Sequence, residues 1–276
     1  AASKFVVLVS GLRLGDMEQS PLRAHMLAEW LAGNVGGAEE REIAAAVVHV
    51  VVAGCSVTAA RPDAQTSKVA AGTAPARSTT EAHRETVELS RALLELEDVL
   101  ATVAASCPVD VMPGACDPAN SALPQQPMER LLLPTAAPFE SCHLVTNPYA
   151  LSVDGTLFTG SAGQNIDNLA TMTSGLARLD LLQRTYEWRH MAPSAPDTLE
   201  CFPTADRDRL VLGTDDVPLP DVYFAANQPE FATRLAEDPS THKRVRLVLV
   251  PEFASTGTAV LVDIKTLDTF TLTITL

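Results

Sequence analysis

The sequence predicts an α/β fold of two packed sheets flanked by helices, and three observations carry that prediction. From residue 5 to residue 112, short apolar runs alternate with a helix-patterned stretch, as parallel strands joined by crossover helices do. From residue 142 onward, short strand-like runs gather with one helical stretch among them. The runs at 109–112 and 157–159 each stop at a Gly-containing string, Met112-Pro113-Gly114-Ala115-Cys116-Asp117-Pro118-Ala119-Asn120 and Gly160-Ser161-Ala162-Gly163-Gln164-Asn165. Such strings read as loops at strand ends, where an α/β sheet places its chemistry. Pro, Gly and Asp-Pro in the first string fix a sharp backbone path.

In chain order, Phe5-Val6-Val7-Leu8-Val9 is a continuous apolar run ending at Ser10-Gly11, the pattern of a strand buried on both faces. Ser20-Pro21 opens a helix, with Ser as cap and Pro at the first helical position, and Gly33 or Gly36 ends it. Residues 46–53 read as a second buried strand, stopping at Gly54-Cys55. Residues 59–77 are rich in Ala, Thr, Ser, Pro and Gly without periodicity and read as a mobile loop. Ser78-Thr79-Thr80-Glu81 has capping-box spacing, and behind it Leu89, Leu93, Leu96, Leu100 and Val103 fall on one helical face. Cys107-Pro108 ends that helix. Further strands are expected at 142–146, 151–153, 157–159, 210–212, 222–225, 245–250, 258–264 and 269–274. A helix over 174–189 carries a stripe of Leu176, Leu179, Gln183 and Tyr186. There is no internal repeat.

The chain has 276 residues, 46% of them hydrophobic, and periodic segments almost end to end, so one domain over residues 1–276 is expected. Its formal charge is −14, from 34 acidic and 20 basic residues, and its only compact basic cluster is His242-Lys243-Arg244 with Arg246. Such a surface repels phosphate backbones, which points to a protein partner. Cys55, Cys107, Cys116, Cys142 and Cys201 are odd in number and contain no Cys-x-x-Cys pair, so a reducing compartment is expected. No secretory leader pattern is read at residues 5–9, and the apolar stretch 43–55 is interrupted by His49 and falls short of the roughly 20 residues a bilayer needs. A soluble intracellular protein without membrane contact is the expectation. The glycine-rich dinucleotide fingerprint, the phosphate loop, the Gly-x-Ser-x-Gly elbow and His-Glu-x-x-His are all missing, and no cofactor is expected.

The strings Val111-Met112-Pro113-Gly114, Asp117-Pro118, Leu123-Pro124-Gln125-Gln126-Pro127, Thr146-Asn147-Pro148-Tyr149, Ser161-Ala162-Gly163-Gln164-Asn165, Arg189-His190, Ala195-Pro196-Asp197-Thr198-Leu199 and Cys201-Phe202-Pro203 occur in that order. Together they resemble the B-subunit family of eukaryotic replicative DNA polymerases, and the Leu-Pro-Gln-Gln-Pro string favours the small subunits of its delta branch. The resemblance runs from residue 5 to about residue 264. It implies the calcineurin-like metallophosphoesterase plan, a four-layer α/β/β/α sandwich with two mixed sheets.

An active member of that plan needs Asp, His and Asn side chains at the strand ends to hold two divalent ions. Set against the active pattern, this chain has Ser10-Gly11-Leu12 for Asp-x-His, and Gly54-Cys55 for Gly-Asp. It has Gly114-Ala115-Cys116-Asp117 for Gly-Asn-His-Asp/Glu, and Ala226-Asn227-Gln228-Pro229 for Gly-His-x-His. The resemblance therefore implies degenerate positions at Ser10, Leu12, Cys55, Ala115, Cys116, Asn227 and Pro229, with no catalytic and no metal site. Cys55, Cys116 and His190 are the thiols and imidazole that could hold one zinc, set against core packing for the cysteines and a structural role for His190. The surviving Asp117, Asn147, Gln164, Asn165 and 195–198 strings are expected to hold loops rigid.

By the same resemblance, the chain is a non-catalytic subunit working in nuclear DNA replication and repair. Its partners would be the cysteine-rich C-terminal module of the DNA polymerase delta catalytic subunit and a third accessory subunit, with DNA reached only through the complex. An oligonucleotide-binding-type domain accompanies the family's phosphoesterase-like domain, and the expectation is that residues 1–276 do not include one. Two other classes stay open: a metal-dependent phosphodiesterase or nuclease with an unusual Cys/His site, and a Rossmann-type enzyme.

Overall fold

A computed structural model describes residues 3–58, 79–203, 208–238 and 240–276. In chain order the first part comprises β1 (Phe5–Val9), α1 (Leu22–Leu31), α2 (Ala38–Ala45), β2 (Val47–Ala53), α3 (Thr79–Ala104), β3 (Val109–Met112) and β4 (Cys142–Leu144). The middle comprises β5 (Tyr149–Val153), β6 (Thr156–Ser161), α4 (Gln164–Met172), α5 (Arg178–Glu187), β7 (Val222–Gln228), β8 (Ala232–Glu237) and β9 (Arg244–Pro251). The last part comprises α6 (Phe253–Thr256), β10 (Thr258–Asp263) and β11 (Thr269–Thr273).

The strands form two mixed sheets, in the orders β11-β10-β1-β2-β3-β4 and β5-β6-β7-β9-β8. In the first, β1 to β4 run parallel and β10 and β11 antiparallel to their neighbours; in the second, β6, β7 and β9 are parallel, with β5 and β8 as antiparallel edges. The continuous apolar runs are explained by burial on both faces. On β1, Val7 and Val9 pack into the layer that includes α1 and α3, while Val6 and Leu8 meet the second sheet. On β7, Tyr223 and Ala225 face the layer with α4 and α5, while Val222 and Phe224 face the first sheet. Three apolar layers thus separate four layers of structure, α/β/β/α. The second sheet overturns the Rossmann-type alternative, which needs one doubly wound sheet.

Several local expectations are corrected. α2 was not expected, because only Ala44 of its eight residues is buried; it starts where the Glu40 carboxylate accepts the Gly37 N–H at 2.7 Å. Residues 210–212 form no strand. Leu210 and Leu212 are buried loop anchors, held by Asp208 accepting the Leu210 N–H and by Leu210 C=O accepting the Met191 N–H. The expected helix over 174–189 is α5 alone: Leu176 precedes it and is exposed, and the buried face is Leu181, Leu182, Thr185 and Tyr186. α4 and β8 are additional elements. The expected loop at 59–77 lies outside the described residues, as does the local geometry of the 78–81 capping box. Leu93, Leu96, Leu100 and Val103 do line the buried face of α3. Among the described residues no helix is long and apolar enough to cross a membrane.

Candidate functional site

The ends of β1, β2, β3, β6, β7 and β9 converge at one end of the sandwich. The closeness is set by glycine. At Gly54, with φ +85°, an added Cβ would lie 2.6 Å from Ala162 Cβ and 2.9 Å from Gly114 Cα, so three strand ends meet there. At Gly163, with φ +97°, an added Cβ would lie 1.9 Å from the Ala226 carbonyl oxygen, which packs the start of α4 directly on the end of β7.

The polar side chains at this end are turned inward to the backbone. Ser10 Oγ donates to the Pro251 carbonyl at 3.1 Å and accepts the Asn227 N–H at 2.9 Å. Asn227, with φ +53°, donates from Nδ2 to the carbonyls of Ala53 (3.1 Å) and Ala162 (2.9 Å). Together these two residues tie the first sheet to the second. Buried Asp117 accepts the N–H groups of Gly114 (2.8 Å) and Val57 (3.0 Å). Burial pushes its carboxyl up to about 6, against the opposing pull of those amides and the amides of Ser56 and Cys55.

Leu12 is core, whereas Ala115 and Pro229 are exposed and bring no donor. Cys55 hydrogen-bonds to Cys116, and that contact together with burial drives the Cys55 thiol strongly up, the opposite of a thiolate ready to bind a cation. Arg13 sits beside both sulfurs and pairs with Glu252. His190 contacts other groups: Nδ1 accepts the Ala192 N–H at 3.2 Å and Nε2 lies 3.7 Å from Asp208. Among the described residues, no group of three or more His, Cys, Asp and Glu side chains is arranged to hold a metal ion. Of the three side chains expected as possible zinc ligands, Cys55 and Cys116 meet each other, and His190 contacts Ala192 and Asp208. None of the five cysteines forms a disulfide.

The remaining strings form an amide network. Asn147 Nδ2 donates to Gln125 Oε1 (2.7 Å) and Gln164 Oε1 (3.1 Å), and Gln164 Nε2 donates to Gln125 Oε1 (2.9 Å). Gln125 Nε2 reaches the carbonyls of Asn120 and Gly114, and Asn147 Oδ1 accepts the Ala162 N–H. Gln164 therefore binds side chains rather than backbone. Asn165 does hold backbone, donating to the Met191 carbonyl at 2.6 Å and accepting from Ser161 Oγ at 2.7 Å. The 195–198 loop hangs on Asn168, whose Oδ1 accepts from Ser194 and Thr198 hydroxyls.

One cluster was missed. Between the sheets, buried Asp110 accepts from His49 (2.7 Å), His143 (2.9 Å) and Tyr149 (2.8 Å). Burial opposes its ionisation, yet these partners hold the carboxyl below its ordinary range. A signal was present, since His49 and Asp110 each interrupt an apolar strand run. Three of the four members of the basic cluster pair within the chain, His242 with Glu237, Lys243 with Asp221 and Arg246 with Asp268, while Arg244 is exposed.

The sequence is 39% identical over 269 residues to the DNA polymerase delta small subunit of Arabidopsis thaliana, a match covering 98% of this chain and 57% of that protein. It is 40% identical over 274 residues to DNA polymerase delta subunit 2 of Drosophila melanogaster, covering 96% of this chain and 58% of that protein. The chain thus spans somewhat over half the length of these relatives. A solved archaeal phosphodiesterase superposes with a TM-score of 0.49 at 10% identity, over 98% of this chain and 99% of that one. The sequence model of the DNA polymerase alpha/epsilon B-subunit family matches residues 6–233, and the chain belongs to that family.

Proposed function

We propose that this chain is a non-catalytic accessory part of DNA polymerase delta, serving nuclear DNA replication and repair as a docking body. One observation carries the reading: most hydrogen-bonding groups at the converging strand ends are engaged within the fold, the buried Asn227 Oδ1 being an exception. Ser10 and Asn227 hold strands together, Asp117 holds two loops, and the Cys55 and Cys116 thiols hold each other. A two-metal phosphoesterase needs those positions as free electron-pair donors. The donor set does not fit such a metal pair: of the degenerate positions, Ser10, Asn227, Cys55 and Cys116 form a structural joint, Leu12 packs in the core, and Ala115 and Pro229 are exposed without a side-chain donor. The partners are the cysteine-rich C-terminal module of the catalytic subunit and a third accessory subunit, with DNA reached through the assembled complex.

The test is capture of the catalytic subunit's C-terminal module by the purified chain, alongside phosphodiester hydrolysis with added manganese. Capture without hydrolysis is expected. Metal-dependent hydrolysis that tracks the purified chain would overturn the reading.

A further inference from the structure

The hairpin β5–β6 closes on Asp154-Gly155, both with positive φ, so Val153 and Thr156 flank a two-residue turn. Such a turn makes the flanking pair a hydrogen-bonded one, and pairs alternate from there. Val153, Leu151 and Tyr149 therefore aim their backbone groups at β6. Ala150 and Ser152, both exposed, aim theirs outward from the open edge of the second sheet.

Beside that edge lies a cavity of about 390 Å³, lined by Ala150 and its cross-strand partner Thr159, with Tyr149, Val145, Met191 and Val217 among its walls. Thr159 is only 1% exposed, and its hydroxyl has no hydrogen-bond partner. A buried hydroxyl left unpaired costs about 1–3 kcal/mol, and a hydrogen-bonding group that enters the cavity would recover it. The rim carries one charge of each sign, Arg209 and Asp216. The chain's net charge of −14 favours a basic visitor.

We propose that the outer edge of β5 and this cavity form a strand-addition site for an extended basic segment of a partner protein, which lowers one tyrosine-like side chain onto Thr159. Backbone pairing with Ala150 and Ser152 supplies affinity, and the pocket supplies selectivity. A side chain with an apolar body and a hydrogen-bonding tip matches apolar walls above a hydroxyl floor. The inference rests on the docking reading only in taking a protein as the occupant.

The experiment selects random displayed peptides on the purified chain and measures their affinity for wild type, Thr159→Val, Ala150→Pro and Ser152→Pro by fluorescence anisotropy, with thermal unfolding of each variant. Selected peptides should be basic and carry a recurrent tyrosine, and each variant should weaken them about tenfold or more. Thr159→Val should melt no lower than wild type, which separates lost binding from lost folding. Peptides that bind all variants equally, or a failure to select any, overturn the site. So does a self-association in sedimentation that Ala150→Pro abolishes, because the edge would then pair with a second copy. Capture of the catalytic module is read separately, so loss of this site with capture retained leaves the docking reading standing.

Discussion

Asn227 joins three strand ends from a left-handed backbone position, a conformation that Asn tolerates better than most residues. Asn227→Ala should cost about 2–3 kcal/mol in urea unfolding, from two lost hydrogen bonds and a strained backbone. Asn227→Gly should recover the backbone part alone. Asp117 gives a pH signature. Its folded carboxyl keeps the proton up to about pH 6, whereas the ordinary value is 3.8, so the unfolded state ionises first and is favoured as pH rises through that window. Its contribution is complete below about pH 4 and declines by about 3 kcal/mol by pH ~7. Asp117→Asn should remove that slope, read as the difference between the two proteins' stability curves, while weakening the fold by about 1–3 kcal/mol below pH ~4, where it is compared with the protonated acid and one N–H loses its acceptor. Asp110 acts in the opposite sense, its contribution being lost as pH falls. The strings that carry these residues were legible in the sequence. Their partners were not, since Ser10 meets Asn227 across 217 positions and no local pattern encodes that pairing.

At the scale of elements, what could be read was what is buried on two faces. β1, β2, β3 and β9 announced themselves as apolar runs because both sides of each meet a core layer. α2 and β8 lie at the surface and lack that contrast. α4 begins at left-handed Gly163 without a side-chain cap, so no start signal marks it. The 210–212 run imitates a strand because alternate loop residues anchor in the core. Gly163→Ala should be among the most damaging single-methyl changes here, lowering stability by several kcal/mol, because the new carbon would overlap the Ala226 carbonyl. Gly155→Ala has open space around it and should cost only the strain of its positive φ, about 1 kcal/mol. Paired thermal melts would separate the two effects.

At the scale of the whole molecule, charge and topology decide what the chain meets. With −14 formal charge and three of the four members of its one basic cluster paired internally, the purified chain should not retard duplex DNA at physiological salt, measured by gel shift. Topology bears on how the protein is made. The second sheet is inserted between β4 and β10, so even after β4 has been made, β1, which ends up central in the first sheet, waits for β10 through about a hundred further residues of synthesis. At translation rates of about 5–20 residues per second, that delay is roughly 5–20 s. Throughout it the Val-Val-Leu-Val flank of β1 stays open on the ribosome, a natural client for a chaperone, and arrested nascent chains should become protease-resistant only once β10 has cleared the exit tunnel.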